Sequence, residues 1–457
     1  METQKSHSRD EIRKELEPVF EEFVDVVDQT VQEAEDLGDI DFESFEHLLD
    51  KTGDELKRRG CEIGLLGCEP EDDHLRIDGD HYYQCMDSQA TYRSQWGECA
   101  FKRGLFRKKG EHNGATVSPL ELRAGIVEGT WTPGCARTIG QYVQELPAHR
   151  GAELSELPYS TTSFKRLAGQ LGESWQRESP QLQTMTAERL EVPEKAASLS
   201  VLVDRVSVLM REDDDYNWRM LWCGAVCLHD DEGETLQTLR YGAIPDKLDE
   251  SLRRPMGKDV KAILDQRPDL DRIALGDGGA DVCGFLDEEY PEFDRRIDIM
   301  HLLEKIAEAH RLWSKKRPTR WESDELLDKW KLDLLNDDEA IDSIEKSIQR
   351  WAEMRNMAEA QEAVDAALTY IDNHREQMRY ASIRKRGLPV GSGAIEATCK
   401  NLVAVRMKRN GQSWSHPGAQ AILNLRSLAL SDRWEDGMDS LTSTYRASVE
   451  PLSAQAA

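Results

Sequence analysis

Three carboxylates in the sequence occupy settings from which they could bind divalent cations. Asp204 interrupts the apolar run VLVDRVSVLM, Asp277 ends the short apolar run IALGD, and Glu396 follows the Gly-Ser-Gly of GSGAIEATCKNL. Mg²⁺ prefers oxygen ligands and typically takes only a few carboxylates, which leaves room for water and phosphate. Two such ions about 3.5–4 Å apart can stabilise both oxygens of an in-line phosphoryl displacement. The trio therefore predicts phosphoryl transfer with two Mg²⁺ (or Mn²⁺) ions held by Asp204, Asp277 and Glu396.

Glu396 lies in the most basic part of an acidic protein. The chain has a formal charge of -28, yet residues 379–411 contain eight basic residues and a single acid. The basic residues are Arg379, Arg384, Lys385, Arg386, Lys400, Arg406, Lys408 and Arg409. The positive end of a helix dipole favours an ionised carboxylate in the first helical turn, where Glu396 is expected to lie. Helical spacing also predicts that Glu396, Lys400 and Val403 share one stripe of the helix surface. This pattern predicts a segment that attracts phosphates while Glu396 binds metal.

The elements that must position these carboxylates follow a recognisable order. SLSVLVDRVSVLM, WRMLWCGAVCLHD and LQTLRYGA alternate apolar and polar residues, and the short turns between them predict an antiparallel meander. A helix at about 255–266, a strand ending at Asp277 and a strand running into a helix within DRRIDIMHLLEKIAEAHRLW follow. A mainly helical stretch, residues 304–380, precedes the helix that carries Glu396.

This order is that of an RNase H-like domain, an α/β fold with a mixed sheet flanked by helices. In that fold the essential acids lie in the middle of the first strand, at the end of the fourth strand and on a late helix. Asp204, Asp277 and Glu396 match these positions. The predicted organisation is an acidic helical segment at 1–60, a DNA-binding region at 61–195, an RNase H-like domain at 196–435 with a helical insertion at 304–380, and a flexible tail at 436–457.

The region before residue 196 combines strand and helix patterns. Residues 61–110 favour short strands and end in the basic cluster Lys102, Arg103, Arg107, Lys108 and Lys109. From Pro133 to about Trp175 the pattern predicts three short helices, the last capped by Ser160. Such helices are typical of a helix-turn-helix, and a small helical packing unit is an equally good interpretation of the pattern alone.

Composition limits the partners and the compartment. Strong acidity counts against phosphate binding, because phosphate contacts need cations. The acidic residues are, however, unevenly distributed along the chain, since residues 1–60 contain 19 acids and eight bases. An acidic surface with 38 Arg against 21 Lys also suits a halophilic host. The sequence has no run of 18 apolar residues and no secretory leader pattern, and its nine cysteines form no CxxC pair. We expect reduced thiols, no membrane partner and a cytoplasmic, nucleoid-associated location.

Two blocks of the sequence resemble a known family. RIALGDGGADVCGFLDEEYPEFDRRIDIMHLLEKIAEA and RGLPVGSGAIEATCKNLVAVRMKRNGQSWSHPGAQAILNLRSLALSDRW resemble the DDE transposases of prokaryotic insertion sequences, with the Kra-type group nearest. The resemblance implies an RNase H-like catalytic domain, an N-terminal DNA-binding region and a helical insertion before the Glu. It makes Asp204, Asp277 and Glu396 the catalytic triad, and it makes Asp298 and His301 a supporting D-x-x-H element.

The resemblance also implies an activity and partners. Such an enzyme binds the terminal inverted repeats of its element, cleaves the ends and joins the 3′-OH groups to target double-stranded DNA. Because two ends are handled together, we expect a homodimer or a larger synaptic complex. The predicted DNA contacts are Lys102, Arg103, Arg107, Lys108, Lys109, Arg384, Lys385, Arg386, Lys400, Arg406, Lys408 and Arg409.

Several alternatives stay open from the sequence. The chain could be an inactive relative that only binds DNA, or a structure-specific nuclease of the same fold. Taken singly, Asp204 is compatible with a strand edge, GDGG with a turn, GSG with a helix cap and His301 with a structural role. Four tryptophans of the insertion could stack on a flipped base, although core packing is the better interpretation. They are Trp313, Trp321, Trp330 and Trp351.

Overall fold

The computed structural model describes residues 8–35, 40–213, 215–314, 323–353 and 358–452. Trp321 lies outside these residues, as do parts of the predicted N-terminal segment, insertion and tail. Within the described ranges, none of the helices combines the length and the apolar character that crossing a membrane requires.

In the first 188 residues two helices precede an antiparallel set of strands, and further helices follow it. The elements are α1 (Arg9–Glu35), α2 (Phe42–Leu66), β1 (His74–Ile77), β2 (Asp80–Ser94), β3 (Gly97–Lys108), β4 (Thr116–Val117), α3 (Pro119–Ala124), α4 (Pro133–Glu145), α5 (Ala148–Leu154) and α6 (Thr161–Glu188). The predicted cap is present, since Ser160 Oγ accepts a hydrogen bond from the backbone N–H of Ser163 at 3.3 Å. Helix α6 continues well beyond Trp175 because Leu182 and Thr186 of its second half are buried.

Strands and helices of the second half follow the predicted order, except that a helix not predicted from the sequence lies between the fourth and fifth strands of this half. They are β5 (Ser198–Glu212), β6 (Asp215–His229), β7 (Thr235–Ala243), α7 (Arg254–Gln266), β8 (Asp271–Gly276), α8 (Ala280–Glu289), β9 (Asp294–Ile297), α9 (Ile299–Ser314), α10 (Ser323–Asn336), α11 (Ala340–Glu353), α12 (Ala358–His374), α13 (Tyr380–Lys385), α14 (Gly393–Thr398), α15 (Val405–Met407), α16 (His416–Leu430), α17 (Trp434–Ser443) and β10 (Val449–Pro451). A π-helical stretch, Cys399–Ala404, joins α14 to α15.

The chain divides into two compact units. One comprises residues up to Ser174 together with those from Gly437 onwards, and the other comprises Trp175–Asp436. The division at 174/175 therefore differs from the predicted boundary at 195/196. The first unit contains a sheet of order β10-β1-β2-β3-β4, in which all neighbouring strands are antiparallel.

The C-terminal segment differs from the predicted flexible tail. Helix α17 covers Trp434–Ser443, and β10 pairs with β1 in the register Ile77↔Val449. An open strand edge presents unpaired N–H and C=O groups, so a short returning segment can complete it. The two chain segments that make up the first unit are thereby joined in one sheet.

The second unit contains a mixed sheet of order β7-β6-β5-β8-β9. β5, β6 and β7 are antiparallel neighbours, whereas β8 runs parallel to β5 and β9 runs parallel to β8. The predicted antiparallel meander and the mixed α/β class are confirmed. Two apolar clusters cover the sheet, one formed with α7 and α8, the other with α14, the π-helical stretch and α16.

The predicted helical insertion has an apolar core of its own. Helices α9 to α12 contribute to it, and Trp330 and Trp351 are 6% and 8% exposed. The ring centroids of Trp313 and Trp351 lie 5.2 Å apart, and those of Trp330 and Trp351 lie 5.7 Å apart. Three of the four insertion tryptophans are therefore packed against one another, which supports the core-packing interpretation.

Candidate active site

Asp204 and Asp277 are placed at the same level of adjacent parallel strands. The last parallel pair of β5 and β8 is Leu202↔Leu275, and each Asp lies two residues further along its chain. Because side chains in a strand alternate between faces, Asp204 projects to the same face as Leu202. Leu202 and Leu275 both belong to the apolar cluster that packs beneath α14. The two carboxylates thus approach each other where β8 ends, on the side of the sheet covered by α14.

The surroundings of Asp204 disfavour its negative charge. Burial raises the pKa of this carboxyl, and the nearby charge of Asp277 raises it further. Two hydrogen bonds act in the opposite direction: the Arg205 backbone N–H donates to Oδ1 at 2.6 Å, and the Cys399 Sγ donates to Oδ2 at 3.6 Å. A cation bound between Asp204 and Asp277 would relieve both unfavourable effects. The oxygen donors present therefore fit a hard divalent ion.

The loop after Asp277 is held by a residue from the helical insertion. The Gly279 backbone N–H donates to Asp277 Oδ1 at 2.8 Å, and Tyr370 of α12 donates its hydroxyl hydrogen to the Asp277 carbonyl at 2.8 Å. Gly278 has φ +84°, and a Cβ there would lie 2.7 Å from the Tyr370 ring. The Asp-Gly-Gly turn predicted from the sequence is required for this close approach. Sequence reasoning missed Tyr370, because nothing local distinguishes it from the other aromatic residues of the insertion.

Asp298, His301, Ser392 and Glu396 form one hydrogen-bonded network. Asp298 Oδ2 accepts from His301 Nδ1 at 2.6 Å and from Ser392 Oγ at 2.8 Å, and its Oδ1 accepts from the Ser392 backbone N–H at 2.9 Å. Ser392 Oγ also lies 2.6 Å from Glu396 Oε1. A hydroxyl has one hydrogen, so Ser392 donates it to one of the two carboxylates at a time. The network links the D-x-x-H element to the helix that carries Glu396.

Opposing effects set the charges in this network. Burial alone would raise the pKa of Asp298, which is 0% exposed, but hydrogen bonds from His301, Ser392 and the backbone outweigh it and lower that pKa. The hydrogen bond to Asp298 raises the pKa of His301 to about 9, and the charge of Asp277 contributes in the same direction. His301 is therefore a cation at neutral pH. It lies near enough to Asp204 to lower the pKa of that carboxyl.

We expect the His301–Asp298 pair to make stability depend on pH. The pKa of His301 rises from 6.5 to about 9 on folding, so the contribution of the pair is fully present below pH 6.5 and is lost as pH rises through 9. His301→Gln should therefore lower the melting temperature more at pH 6 than at pH 10. A melting-temperature difference between the two proteins that is the same at both pH values would contradict this assignment.

Ser392 is expected to position Glu396 and Asp298 for activity. It is 2% exposed and contacts both carboxylates. Loss of such a supporting hydrogen bond typically lowers activity by about 10- to 100-fold. If the carboxylates catalyse the predicted phosphoryl transfer, Ser392→Ala should show this loss, while Ser347→Ala, whose hydroxyl donates to the Ser343 carbonyl of α11, should retain full activity. An Ser392→Ala protein as active as the wild type would exclude the positioning role.

Glu396 lies on a helix that changes its hydrogen-bonding pattern within one turn. α14 continues into the π-helical stretch Cys399–Ala404. The prediction that Glu396, Lys400 and Val403 share one stripe is therefore wrong for Val403, which is buried whereas Glu396 and Lys400 are exposed. The i→i+5 bonding of a π-helix rotates later side chains away from the ordinary 3.6-residue period. Cys399, one ordinary turn after the buried Ile395, donates to Asp204, while Glu396 contacts Ser392.

The structure brings the predicted residues together in two groups. The charge of Asp277 raises the pKa values of both Asp204 and His301, and Glu396 is joined to Asp298 through Ser392. Across the ranges that the structure describes, no three His, Cys, Asp or Glu side chains lie together in an arrangement that could hold a metal ion. The triad as a complete set of metal ligands stays a prediction.

Several predicted DNA contacts are engaged with protein groups. Lys102 pairs with Asp87 at 2.7 Å, Lys108 with Asp80 at 2.5 Å, Arg386 with Asp271 at 2.5 Å and Asp294 at 2.7 Å, and Arg103 pairs with Glu121. Arg406 is 4% exposed and lies over the Trp414 ring at 4.9 Å. Because it is buried, Arg406 is a packing residue in this conformation rather than a DNA contact. Because the chain has an excess of acidic residues, many of its lysine and arginine side chains form ion pairs within the protein.

Five further predicted DNA contacts are exposed, as are the ion-paired Lys102 and Arg386. Arg384, Lys385, Lys400, Lys408 and Lys109 are exposed. Arg107 and Arg409 are partly buried; a guanidinium N–H of each donates to a backbone carbonyl, that of His112 at 3.1 Å and that of Val405 at 2.9 Å. The exposed Arg384, Lys385, Lys400 and Lys408 therefore form the part of the predicted basic segment that can contact a phosphate.

Comparison with known proteins gives no family assignment. No protein-family model matches the chain, and no curated protein shows significant sequence similarity to it.

Proposed function

We propose that this protein is a DNA transposase with an RNase H-like catalytic domain. It cleaves the DNA ends in one step and joins them to the target in a second step, and both steps use Asp204, Asp277 and Glu396. One observation carries the proposal. Asp204 and Asp277 lie side by side at the end of the parallel β5–β8 pair, and the helix bearing Glu396 packs on the same face through Cys399. The strand order β7-β6-β5-β8-β9, with only the last two strands parallel to β5, supports the RNase H-like assignment.

The three carboxylates would hold the divalent ions. When bound, Mg²⁺ or Mn²⁺ supplies Lewis-acid stabilisation of the oxygens around the reacting phosphorus. Asp204 within β5 and Asp277 directly after β8 would provide oxygen ligands, and Glu396 would provide one from the first turn of α14. Rigid secondary-structure elements hold the side chains of a site close to the positions that metal binding requires.

The remaining residues of the site position these ligands and neutralise charge. Tyr370 fixes the Asp277 loop, and Ser392 restrains the Glu396 side chain. Protonated His301 donates to Asp298 and places a positive charge near Asp204 and Asp277, where a phosphate would bind. Lys400, exposed one turn after Glu396, supplies a further cation for the DNA backbone.

An end-cleavage and strand-transfer assay tests the proposal. The substrate is labelled linear DNA that carries the two segments flanking the protein's own coding sequence, with a supercoiled plasmid as target and Mg²⁺ or Mn²⁺ present. A transposase gives nicks at the ends and joined products with the plasmid. Cleavage without joining would instead identify a nuclease of this fold. Binding without cleavage in either metal ion would identify an inactive DNA-binding relative.

A further inference from the structure

The β5–β6 hairpin projects beyond the sheet. Its two strands pair from Ser198↔His229 to Glu212↔Asp215, whereas β8 pairs only as far as Leu202 and β7 pairs only from Trp222. The outer half is therefore a two-stranded ribbon. Such a ribbon is only marginally stable unless another segment packs on it.

One face of this ribbon presents large apolar side chains to solvent. Tyr216, Trp218 and Met220 alternate along β6 and so share a face. They are 57%, 63% and 42% exposed. Single exposed apolar residues are ordinary, but three in a row on one projecting face form a patch typical of a binding site.

A loop that follows α15 forms the other wall of a groove beside this patch. The groove has a volume of about 560 Å³ and is lined by Leu209, Tyr216, Trp218 and residues 407–413. Trp414 anchors the loop, because its backbone N–H donates to the Leu209 carbonyl at 3.1 Å and its carbonyl accepts from the Arg211 N–H at 2.8 Å. The groove is thus bordered by two fixed segments.

The polar groups of the groove suit a phosphate-bearing ligand. Lys408 and Arg409 line it together with the amides Asn410 and Gln412, and none of its lining residues is acidic. Glu212 and Asp215, which end the two strands of the hairpin, alternate to the opposite face, where Glu212 pairs with Arg219 and His416. Gln412 Oε1 is buried and has no hydrogen-bond partner within the described part of the chain; as an acceptor it suits a base amino group rather than a phosphate oxygen. In a protein of charge -28, this local positive surface favours an anion.

We propose that this groove binds unpaired nucleotides of the DNA substrate, with bases stacked on Trp218 and Tyr216 and phosphates held by Lys408 and Arg409. The inference rests on the proposed function and adds a substrate feature to it. Aromatic side chains beside cations bind single strands because every base has a face on which to stack. Bases in a duplex already stack on each other and cannot use such a surface.

The position of the groove indicates which nucleotides it would hold. Leu209 of β5 pairs with Trp218 of β6. It lies five residues after Asp204, so the groove begins roughly 16 Å along the strand from that carboxylate. Alternation places Trp218 and Asp204 on opposite faces of the ribbon. The groove would therefore receive bases that have left the duplex near the cleaved end rather than the scissile phosphate itself.

Binding of short oligonucleotides containing 2-aminopurine, in single-stranded and duplex form, tests this inference with the full-length protein. We expect Trp218→Ala to weaken single-strand binding roughly 5- to 100-fold and to reduce the quenching of 2-aminopurine, with duplex affinity unchanged. Trp218→Phe should retain most of the single-strand affinity because it keeps an aromatic face. Phe42→Ala, which removes an equally exposed aromatic ring (58% exposed) from α2, is the matched control.

Other outcomes would overturn the inference in distinguishable ways. Equal single-strand affinity of the wild type and Trp218→Ala, or an equal loss for both forms of DNA, would exclude base stacking at the groove while leaving the transposase proposal intact. A change in oligomeric state without a change in DNA affinity would make the groove an interface between copies. Failure of the wild type to bind either form would overturn both proposals.

Discussion

Replacement of Asp204 or Asp277 by Asn, or of Glu396 by Gln, is expected to abolish DNA cleavage and strand joining while leaving DNA binding unchanged. Each substitution keeps the shape of the side chain but removes a charged oxygen ligand. Metal-ion stabilisation of the transition state contributes several kcal/mol, so the loss should be at least about 1000-fold in rate. The measurement is the rate of product formation from end-labelled DNA under single-turnover conditions.

Exposed acids of the same unit provide controls for these substitutions. Asp265→Asn on α7 and Glu292→Gln before β9 remove carboxylates that are 64% and 84% exposed. Both should retain the wild-type rate. A triad variant that cleaves as fast as these controls would remove that residue from the catalytic set, and the double variant Asp204→Asn/Asp277→Asn should be no slower than the slower single variant if the two act as one unit.

Removal of one partner of the buried Asp259–Arg433 pair is expected to destabilise the second unit by about 3–5 kcal/mol. Asp259 of α7 is 3% exposed and accepts from both terminal nitrogens of Arg433, at 2.7 and 3.1 Å. Tyr241 of β7 also donates its hydroxyl hydrogen to Asp259 Oδ2 at 2.6 Å. In Arg433→Met the carboxylate stays buried without its cation, and in Asp259→Leu the guanidinium stays buried without its anion.

Urea denaturation of the single and double variants measures this effect. Because the chain has two units, the transition of the second unit should be followed with a probe inside it, such as an introduced fluorophore at Cys283. The double variant Asp259→Leu/Arg433→Met should recover much of the lost stability, since it leaves neither charge unpaired. Single variants within about 1 kcal/mol of the wild type would indicate that water reaches the pair and screens it.

The sequence predicts those parts of the fold that depend on local patterns. Alternation in β5, β6 and β7 indicates strands whichever residues they pair with, and short turns leave an antiparallel meander as the simplest connection. Asp204 is conspicuous in the sequence because burying a carboxylate in an apolar strand is unfavourable unless it is paired or binds a cation. Asp277 stands out because its strand ends in Asp-Gly-Gly, and the structure places these two residues together.

Contacts between residues far apart in the chain could not be predicted in this way. Tyr370 reaches Asp277 across 93 positions, and Ser392 reaches Asp298 across 94. A tyrosine in a helix and a serine before one have many ordinary roles, so neither carries a distinctive signal. The resemblance pointed to Asp298 and His301, but the hydroxyl that joins them to Glu396 emerges only from the three-dimensional arrangement.

Helix geometry and charge pairing account for two further differences. The π-helical stretch after Glu396 has no clear sequence signature, so a regular 3.6-residue period placed Val403 on the wrong face. Basic residues were predicted to contact DNA from their clustering along the chain, yet Arg103 and Arg386 meet acids that are distant in sequence. Such ion pairs reduce the net positive charge of a linear basic cluster even where a cation such as Arg386 stays exposed, and the DNA contacts stay predictions.

Calorimetric titration with Mn²⁺ tests the central claim most directly, because it needs no knowledge of the DNA ends. The wild type should bind Mn²⁺ at the carboxylate site. The Asp204→Asn/Asp277→Asn variant should lose that binding, whereas the Asp265→Asn/Glu292→Gln variant should bind as the wild type does. Identical Mn²⁺ binding by all three proteins would contradict a metal site at Asp204 and Asp277, and with it the proposed chemistry.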